Sequence, residues 1–208
     1  MTAADVSERL IELGAATLGE SGAKAMVPRI RAVWPGALVA APAYPVRCTP
    51  GDNLAVHVGV TRAPAGSVLV VDVGLVPDRG YFGEVLTTAA EARGLVGLVI
   101  DGGVRDRAAL EAHEFPVFAT TLALRGATKA WPGTVGAPVR VGEVEVRADD
   151  WVVGDADGVV VVPGDQLDAV LEAALARTVK EEGFFELLQD GATTLDLLGL
   201  DASLVTEV

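Results

Sequence analysis

An arginine and an aspartate stand side by side at the end of residues 96–106 (VGLVIDGGVRD). The apolar start of this stretch predicts a buried strand, and Gly102 and Gly103 are expected to end it. A turn at the end of a strand can direct side chains into a cleft. There, the Arg105 guanidinium can hold a small carboxylate through two parallel hydrogen bonds, and Asp106 can bind a hard divalent cation. The alternative is a surface ion pair that follows a turn.

A second stretch, residues 81–86 (YFGEVL), offers backbone donors for the same chemistry. It opens a helix predicted over about 83–93, and the first N–H groups of a helix have no partners within it. Gly83 has no side chain, so a ligand can approach its backbone closely. If this turn and the Arg105 turn end adjacent parallel strands, they face each other across one cleft. Such a set suits a 2-oxo acid such as pyruvate, beside a metal that polarises the ketone and stabilises an enolate.

The predicted elements favour an α/β fold, because strands and helices alternate as they do in parallel sheets with crossover helices. Residues 37–46 contain Pro42 and Pro45 and are expected to form an edge or irregular strand. After Leu124, alternating apolar residues predict antiparallel hairpins. The remaining predicted elements are helices at 54–62 and about 106–113, strands at 66–73 and 115–119, a polar loop at 74–82, and hairpins over 139–147 and 151–162.

Both ends of the chain are predicted to be helical, over about 4–18 and about 164–190. The apolar stripe of the second helix continues onto Glu181 and Glu182. Carboxylates on the packing side of a helix are unusual, so we expect this end to meet another subunit or a site. We expect one domain over residues 1–208.

Composition excludes several classes of protein. The 208 residues include 16 Lys and Arg against 29 Asp and Glu, which gives a net charge of −13. This charge disfavours direct contact with nucleic acids and with anionic membranes. No basic leader and no membrane-length apolar run is present, so we expect a cytoplasmic protein. Cys48, the single cysteine, is expected to be buried rather than reactive. His57 falls in a predicted helix and is expected to pack or to be partly exposed.

Several motifs together resemble one family, which contains the 4-hydroxy-4-methyl-2-oxoglutarate (4-carboxy-4-hydroxy-2-oxoadipate) aldolases and the regulator of ribonuclease activity A. The most specific element is a glycine, here Gly83, that precedes an Arg-Asp pair by about twenty residues. The similarity runs from about residue 25 to the tail. The matching segments are 50–54 (PGDNL), 83–86 (GEVL), 99–106 (VIDGGVRD), 115–119 (FPVFA), 154–159 (GDADGV), 180–181 (KE) and 193–200 (TTLDLLGL).

The resemblance implies a swivelling β/β/α-type domain, with a central mixed, partly parallel sheet flanked by helices, assembled as a homotrimer or hexamer. It further implies a class II pyruvate aldolase that depends on Mg²⁺ or Mn²⁺, with oxaloacetate decarboxylation as a second activity. Carried over to this chain, Arg105 binds the substrate oxygens and Asp106 ligates the metal. The amides of Glu84, Val85 and Leu86 hold the pyruvyl carboxylate. Glu84 is also a candidate proton shuttle, and Glu181 reaches the site from the neighbouring subunit.

One position departs from the family pattern. The family motif continues from the Arg-Asp pair to an acid three residues later that helps to hold metal-bound water, whereas this chain has Ala109 there. This difference leaves a second function open, that of a non-catalytic regulator which binds and inhibits a ribonuclease through protein contacts. A charge of −13 suits a basic partner. The presence of Glu84, Arg105, Asp106 and Glu181 favours catalysis.

Overall fold

The computed structural model of the protein describes residues 2–206. Within this range the α-helices are α1 Ala3–Glu20, α2 Leu54–Arg62, α3 Glu84–Glu91, α4 Arg107–Ala112, α5 Leu167–Gln189 and α6 Thr194–Leu198. The strands are β1 Lys24–Ala25, β2 Arg31–Ala32, β3 Val39–Arg47, β4 Val68–Asp72, β5 Gly80–Phe82, β6 Gly97–Val104, β7 Val117–Leu122, β8 Thr134–Val135, β9 Val139–Val141, β10 Val144–Val146, β11 Trp151–Gly154 and β12 Val159–Val162. Short 3₁₀ turns follow at Gly164–Gln166 and Ala202–Leu204.

A mixed sheet in the order β1-β12-β11-β3-β4-β6-β7-β2 organises the chain. Strands β3, β4, β6 and β7 are parallel neighbours, whereas β11 and β12 pair in the antiparallel sense. Strands β9 and β10 form a separate hairpin. The prediction of a mixed, partly parallel sheet flanked by helices is therefore confirmed. The carboxyl ends of the parallel strands share one edge, and this edge carries the candidate site.

The expectation of an edge strand at residues 37–46 is wrong, whereas the alternative, an irregular strand, agrees with the change of pairing partner between Pro42 and Ala43. Strand β3 is central: its first half pairs with β11 and its second half pairs with β4. Pro42 and Pro45 are compatible with this place because successive backbone N–H groups of a strand point to opposite sides. Each proline therefore removes a donor toward only one neighbouring strand.

Two further boundaries differ from the sequence prediction. Gly102 and Gly103 do not end β6, which continues to Val104 through an irregularity in its pairing with β7. Close packing explains both glycines, since a Cβ at Gly103 would lie 2.5 Å from the Arg79 carbonyl oxygen and one at Gly102 would lie 2.7 Å from Val73 Cγ2. The expected loop at 74–82 also ends in β5, which pairs with the end of β6.

The helices pack against the sheet in two groups, and alternate strand residues such as Val68 and Val70 pack instead against the β9–β10 hairpin. Buried side chains of α2, α3 and α4 form one apolar cluster with the parallel strands, and those of α1 and α5 form another with β11 and β12. Cys48 lies in the first cluster, 4% exposed. Burial and the nearby Asp52 carboxylate raise the pKa of its thiol to about 12. The prediction of a buried cysteine is confirmed.

The two terminal helices depart from their simple periodic patterns. Helix α1 contains a break at Gly14, whose φ is 74°, and the Asp155 carboxylate accepts a hydrogen bond from the Ala15 N–H that follows it. Helix α5 buries Val170, Leu171 and Ala174, while Leu175 is 48% exposed. The apolar stripe predicted for α5 is thus buried only in its first half.

No helix in residues 2–206 combines the length and the apolar composition that a membrane crossing requires. The cytoplasmic location stays a prediction.

Candidate active site

Arg105 follows strand β6 directly, at the shared edge of the parallel strands. Its backbone N–H donates a hydrogen bond of 2.9 Å to the Phe82 carbonyl at the end of β5. This bond joins the two turns that the sequence singled out. The Arg105 Nε lies 3.6 Å from Asp106 Oδ2, and both side chains are partly exposed, at 44% and 40%. The expectation that the two turns face each other is confirmed.

Asp106 has an unusual conformation for its position. It is the N-cap residue of α4 and has a left-handed backbone, with φ 59° and ψ 38°. An aspartate at an N-cap ordinarily accepts hydrogen bonds from the first amides of its own helix, but the Asp106 side chain makes no such bond. Its Oδ2 instead accepts a hydrogen bond of 3.1 Å from the Glu84 N–H at the start of α3. The left-handed turn therefore directs this carboxylate toward the neighbouring helix terminus.

Gly83 makes room for this carboxylate. Its φ of −171° is extended backbone that any residue can adopt, so conformation does not explain the glycine. A Cβ on Gly83 would overlap Asp106 Oδ2 and lie 2.9 Å from Arg105 Cγ. The absence of a side chain at this position is thus what allows Arg105 and Asp106 to approach the terminus of α3.

A cleft of about 150 Å³ opens beside this pair. Four of the residues that the sequence singled out line it, namely Gly83, Val85, Leu86 and Arg105. Glu84 and Asp106 are chain neighbours of these lining residues, and the Glu84 N–H donates a hydrogen bond to the Asp106 carboxylate. The complete lining is Asn53, His57, Gly80, Tyr81, Phe82, Gly83, Val85, Leu86, Arg105, Gly126, Ala127 and Lys129.

The three amides expected to hold a carboxylate are not equivalent. The Glu84 N–H donates to Asp106, and the Leu86 N–H donates to the Gly83 carbonyl at 3.0 Å. Among the described residues, the Val85 N–H has no such acceptor, and the Val85 side chain is 77% exposed. The Val85 amide is therefore the backbone donor that this geometry leaves for a ligand. The role of the other two amides stays a prediction.

The structure adds three polar residues that sequence reasoning did not place in the site. Asn53 and His57 lie one turn apart at the start of α2, and Lys129 lies on the loop after β7. Asn53 Nδ2 donates 2.8 Å to the Tyr81 carbonyl. The described residues provide no hydrogen-bond partner for the buried Asn53 Oδ1 and His57 Nε2. Their i, i+4 spacing, which puts two residues on one helix face, was the available sequence signal.

The charge of His57 follows from its surroundings. Burial lowers the pKa of its imidazole, and the positive charge of Lys129 lowers it further. A pKa below the ordinary 6.5 keeps His57 neutral at physiological pH. A neutral imidazole has one donor and one acceptor nitrogen, so His57 can bind a hydroxyl or a carboxylate without adding charge.

Glu181 does not join the site within one chain. It lies on α5, which packs against α1, and its Oε1 forms an ion pair with Arg177 Nε at 2.8 Å. Arg177 also pairs with Glu20 of α1. The contribution of Glu181 to a site of a neighbouring subunit stays a prediction.

Asp106 is the candidate ligand for a divalent cation at this edge of the sheet. The described residues contain no cluster of three or more His, Cys, Asp or Glu side chains arranged to hold a metal. Mg²⁺ commonly binds through one or two carboxylates and takes its other ligands from water and substrate oxygens. The residues thus fit an open magnesium-type site, and they do not fit a closed protein cage.

The parallel strands of this α/β protein end at a cleft lined by Arg105 and Lys129, beside the partly exposed Asp106 carboxylate, and this cleft is a candidate site for a small anion. The family model RraA-like, described as Aldolase/RraA, matches residues 3–161, and the chain belongs to this family.

A relative from Halalkalibacterium halodurans, named provisionally as a 4-hydroxy-4-methyl-2-oxoglutarate aldolase, is 33% identical over 157 residues, which cover 76% of this chain and 75% of that protein. A solved structure of an uncharacterized Pseudomonas syringae protein has a TM-score of 0.83 at 26% identity and covers 96% of this chain and 95% of its own. The RNA-processing inhibitor RraA from Thermus thermophilis has a TM-score of 0.62 at 27% identity, covering 68% and 85%.

Proposed function

We propose that the protein is a divalent-metal-dependent carbon–carbon lyase. Its substrates would be 4-hydroxy-2-oxo acids such as 4-hydroxy-4-methyl-2-oxoglutarate and 4-carboxy-4-hydroxy-2-oxoadipate, cleaved to pyruvate and a second 2-oxo acid. Oxaloacetate decarboxylation would be a second activity. The observation that carries the proposal is the Asp106 carboxylate, which leaves its own helix uncapped and lies at the start of α3 beside Arg105. The name of the Halalkalibacterium halodurans relative supports the same reaction class.

The charges of the cleft favour a substrate with more than one carboxylate. The chain as a whole has a net charge of −13, yet Arg105 and Lys129 line the cleft and no carboxylate side chain is among its lining residues. A cationic cleft in an acidic protein attracts small anions selectively. Arg105 lies beside the start of α3, and Lys129 is close enough to His57 to lower its pKa, so the cleft presents two cations. This arrangement suits an acid with charged groups at both ends.

Each residue then has a role in cleavage. Arg105 and the Val85 N–H bind the 2-oxo acid end, and Asn53, His57 and Lys129 bind the part that leaves as the second product. In cleavage, Glu84 takes the proton of the C4 hydroxyl, C4 becomes a carbonyl carbon, and the electron pair of the broken C3–C4 bond forms the pyruvate enolate. Arg105 stabilises the negative charge on the oxygen of the resulting pyruvate enolate. Glu84 shuttles the proton that completes pyruvate at C3.

The proposed cofactor is Mg²⁺ or Mn²⁺, which Asp106 would hold together with water and substrate oxygens. When bound, such a cation withdraws electron density from the ketone oxygen and so favours enolate formation.

Substitution of Arg105 tests the proposed binding of the enolate. For Arg105→Ala we expect kcat/KM to fall by about 100-fold or more, because a positioned cation opposite developing charge is removed. Arg105→Lys keeps the charge but loses the planar fork, so its activity should lie between those of the wild type and the alanine variant. Steady-state pyruvate release measures both. Arg147 is also exposed and ion-paired, to Glu145, so Arg147→Ala is the matched control and should behave as wild type. Equal activity of all four proteins would remove Arg105 from the mechanism.

We also propose assembly into homotrimers or hexamers. The C-terminal arm, residues 175–205, follows the buried part of α5 and exposes many apolar side chains. An exposed apolar surface of this kind marks a contact site. Its exposed apolar residues are Leu175, Val179, Phe185, Leu187, Leu195, Leu198, Leu200, Leu204 and Val205.

A mixing experiment tests whether Glu181 acts across a subunit interface. Arg105→Ala and Glu181→Gln should each be poorly active alone. The two variants are unfolded and refolded together so that their subunits mix at random. If one subunit supplies Arg105 and its neighbour supplies Glu181, about one quarter of the sites then receive both intact residues and regain activity. Pyruvate release is measured before and after mixing. Glu20→Gln, which removes the other carboxylate partner of Arg177, should retain activity. No recovery from a refolded mixture that contains mixed oligomers would exclude a shared site.

The runner-up function is that of a regulator that inhibits a ribonuclease by direct contact. The net charge of −13 and the similarity to the Thermus thermophilis RNA-processing inhibitor favour it. A protein with this function would be indifferent to Arg105→Ala, whereas a lyase would not.

A further inference from the structure

Asp52 is almost completely buried, at 1% exposure, and it is not one of the residues that line the cleft. Its Oδ2 accepts three hydrogen bonds from the loop after β7, from Thr128 Oγ1 at 2.8 Å, Ala130 N at 2.6 Å and Trp131 N at 3.2 Å. Its Oδ1 accepts a fourth, of 2.8 Å, from the Leu54 N–H at the start of α2. One carboxylate therefore joins two segments that are far apart in the sequence.

The two joined segments are those that supply the added polar residues of the cleft. Helix α2 carries Asn53 and His57, and Lys129 lies between two residues that donate to Asp52. Backbone hydrogen bonds strengthen the same junction, from the Asn53 N–H to the Thr128 carbonyl and from the Thr128 N–H to the Gly51 carbonyl, each 2.9 Å. The place of Lys129 relative to Asn53 and His57 thus depends on this junction.

The charge state of Asp52 suits this role. Burial by itself would raise the pKa of its carboxyl, but the hydrogen bonds from Ala130, Leu54, Thr128 and Trp131 outweigh burial and hold the pKa below its ordinary value. The carboxylate therefore stays ionised and can accept from all its donors at once. Hydrogen bonds to a charged acceptor are stronger than neutral ones.

We infer that Asp52 is a positioning residue that fixes Lys129 against Asn53 and His57, and so sets the affinity for the second charged end of the substrate. This inference rests on the proposed lyase function. It differs from a general role in stability because the effect of Asp52 must pass through Lys129.

A double-mutant cycle tests this dependence. In the wild-type background, Asp52→Ala should lower kcat/KM for 4-hydroxy-4-methyl-2-oxoglutarate about 10- to 100-fold, mainly through KM, because misplacement of a binding group costs a factor of this size. In a Lys129→Met background the same substitution should cost less than about 2-fold, since groups that act through one another are not additive. Equal losses in the two backgrounds would overturn the inference.

Two further variants separate positioning from folding. In Asp52→Asn the side-chain oxygen can still accept from the three loop donors, but its amide nitrogen meets the Leu54 N–H donor to donor, so its KM should lie between those of Asp52→Ala and the wild type. Asp150, 8% exposed, accepts from the backbone N–H groups of Arg147 and Gly164, so Asp150→Ala is the matched control. It should lower the thermal unfolding temperature but leave KM unchanged. A KM effect in Asp150→Ala as large as in Asp52→Ala would contradict a specific role.

Amide hydrogen exchange keeps the test independent of catalysis. Asp52→Ala should speed exchange at Ala130 and Trp131, whereas Asp150→Ala should leave these two amides as they are. If the wild type releases no pyruvate, the proposed function fails. Amide hydrogen exchange at Ala130 and Trp131 then decides whether Asp52 holds the loop that carries Lys129. Unchanged exchange at both amides in Asp52→Ala would overturn the inference whatever the activity. Should Asp52→Ala fail to fold, Thr128→Val removes one of the three loop bonds and should shift KM and exchange in the same direction by less.

Discussion

Replacement of Asp106 with alanine is expected to abolish metal-dependent pyruvate release while leaving the fold intact. The side chain is 40% exposed, makes no capping bond to α4 and packs in none of the apolar clusters. Its loss removes the carboxylate that we propose holds the cation beside Arg105. We expect kcat/KM to fall by at least about 100- to 1000-fold, the range seen when a group that stabilises developing charge is deleted.

Pyruvate release at a saturating concentration of Mg²⁺ or Mn²⁺ measures this loss, and thermal unfolding checks the fold. Asp168, which is exposed in the first turn of α5, provides the control, because Asp168→Ala removes a surface carboxylate far along the chain from the cleft. Asp106→Ala turnover equal to that of the wild type would show that the metal is held elsewhere or is not needed.

Gly83→Ala is expected to lower activity about as strongly as loss of a catalytic group, although it adds only one methyl group. The new Cβ would overlap Asp106 Oδ2 and crowd Arg105 Cγ, so the two side chains must move away from the start of α3. A displacement of about 1 Å in a catalytic site can cost about 100-fold in rate. The extended backbone of Gly83 suits alanine. We therefore expect the free energy of unfolding to change little while kcat/KM falls strongly.

Gly19→Ala separates this steric effect from a general effect of replacing glycine. Gly19 lies in α1, and a Cβ there would meet Val160 Cγ1 at an ordinary 3.7 Å. Alanine is also the better helix former, so this variant should be as active as the wild type and at least as stable. Full activity of Gly83→Ala would mean that Arg105 and Asp106 are not held against this terminus during turnover.

The gathering of Gly83, Arg105 and Asp106 could be predicted from the sequence for a simple reason. Apolar runs alternating with helices predict parallel strands, and the carboxyl ends of such strands meet at one edge. The sequence made the meeting of the two turns conditional on adjacent strands and predicted a loop in place of β5, and the hydrogen bond between Arg105 and Phe82 joins these turns in the structure. What could not be foreseen was the left-handed backbone of Asp106, which decides where its carboxylate points.

Lys129, Asn53 and His57 were missed because they come together through contacts between distant segments. The local pattern around His57 predicts a packed or partly exposed helical residue, and nothing in it shows which loop lies opposite. The Asp52 carboxylate brings that loop, with Lys129, to α2. Long-range hydrogen bonds of this kind have no sequence period.

Periodicity has a second limit, which β3 and α5 illustrate. It gives the apolar face of an element but not the neighbour that covers this face. The prolines of β3 indicated an edge, yet they lie in a central strand because each removes only one donor. In α5 the stripe is buried as far as Ala174, and Val179 is 68% exposed.

We propose that Arg105 and Asp106 form a working enolate site. The most direct measurement is pyruvate release from oxaloacetate with Mg²⁺ or Mn²⁺, repeated after EDTA and again after the metal is restored. We expect release that requires the metal, returns on its addition and is lost in Asp106→Ala. No enzyme-dependent release with either metal, or release that survives both EDTA and Asp106→Ala, would contradict the proposed site, and absence of release would favour the regulator.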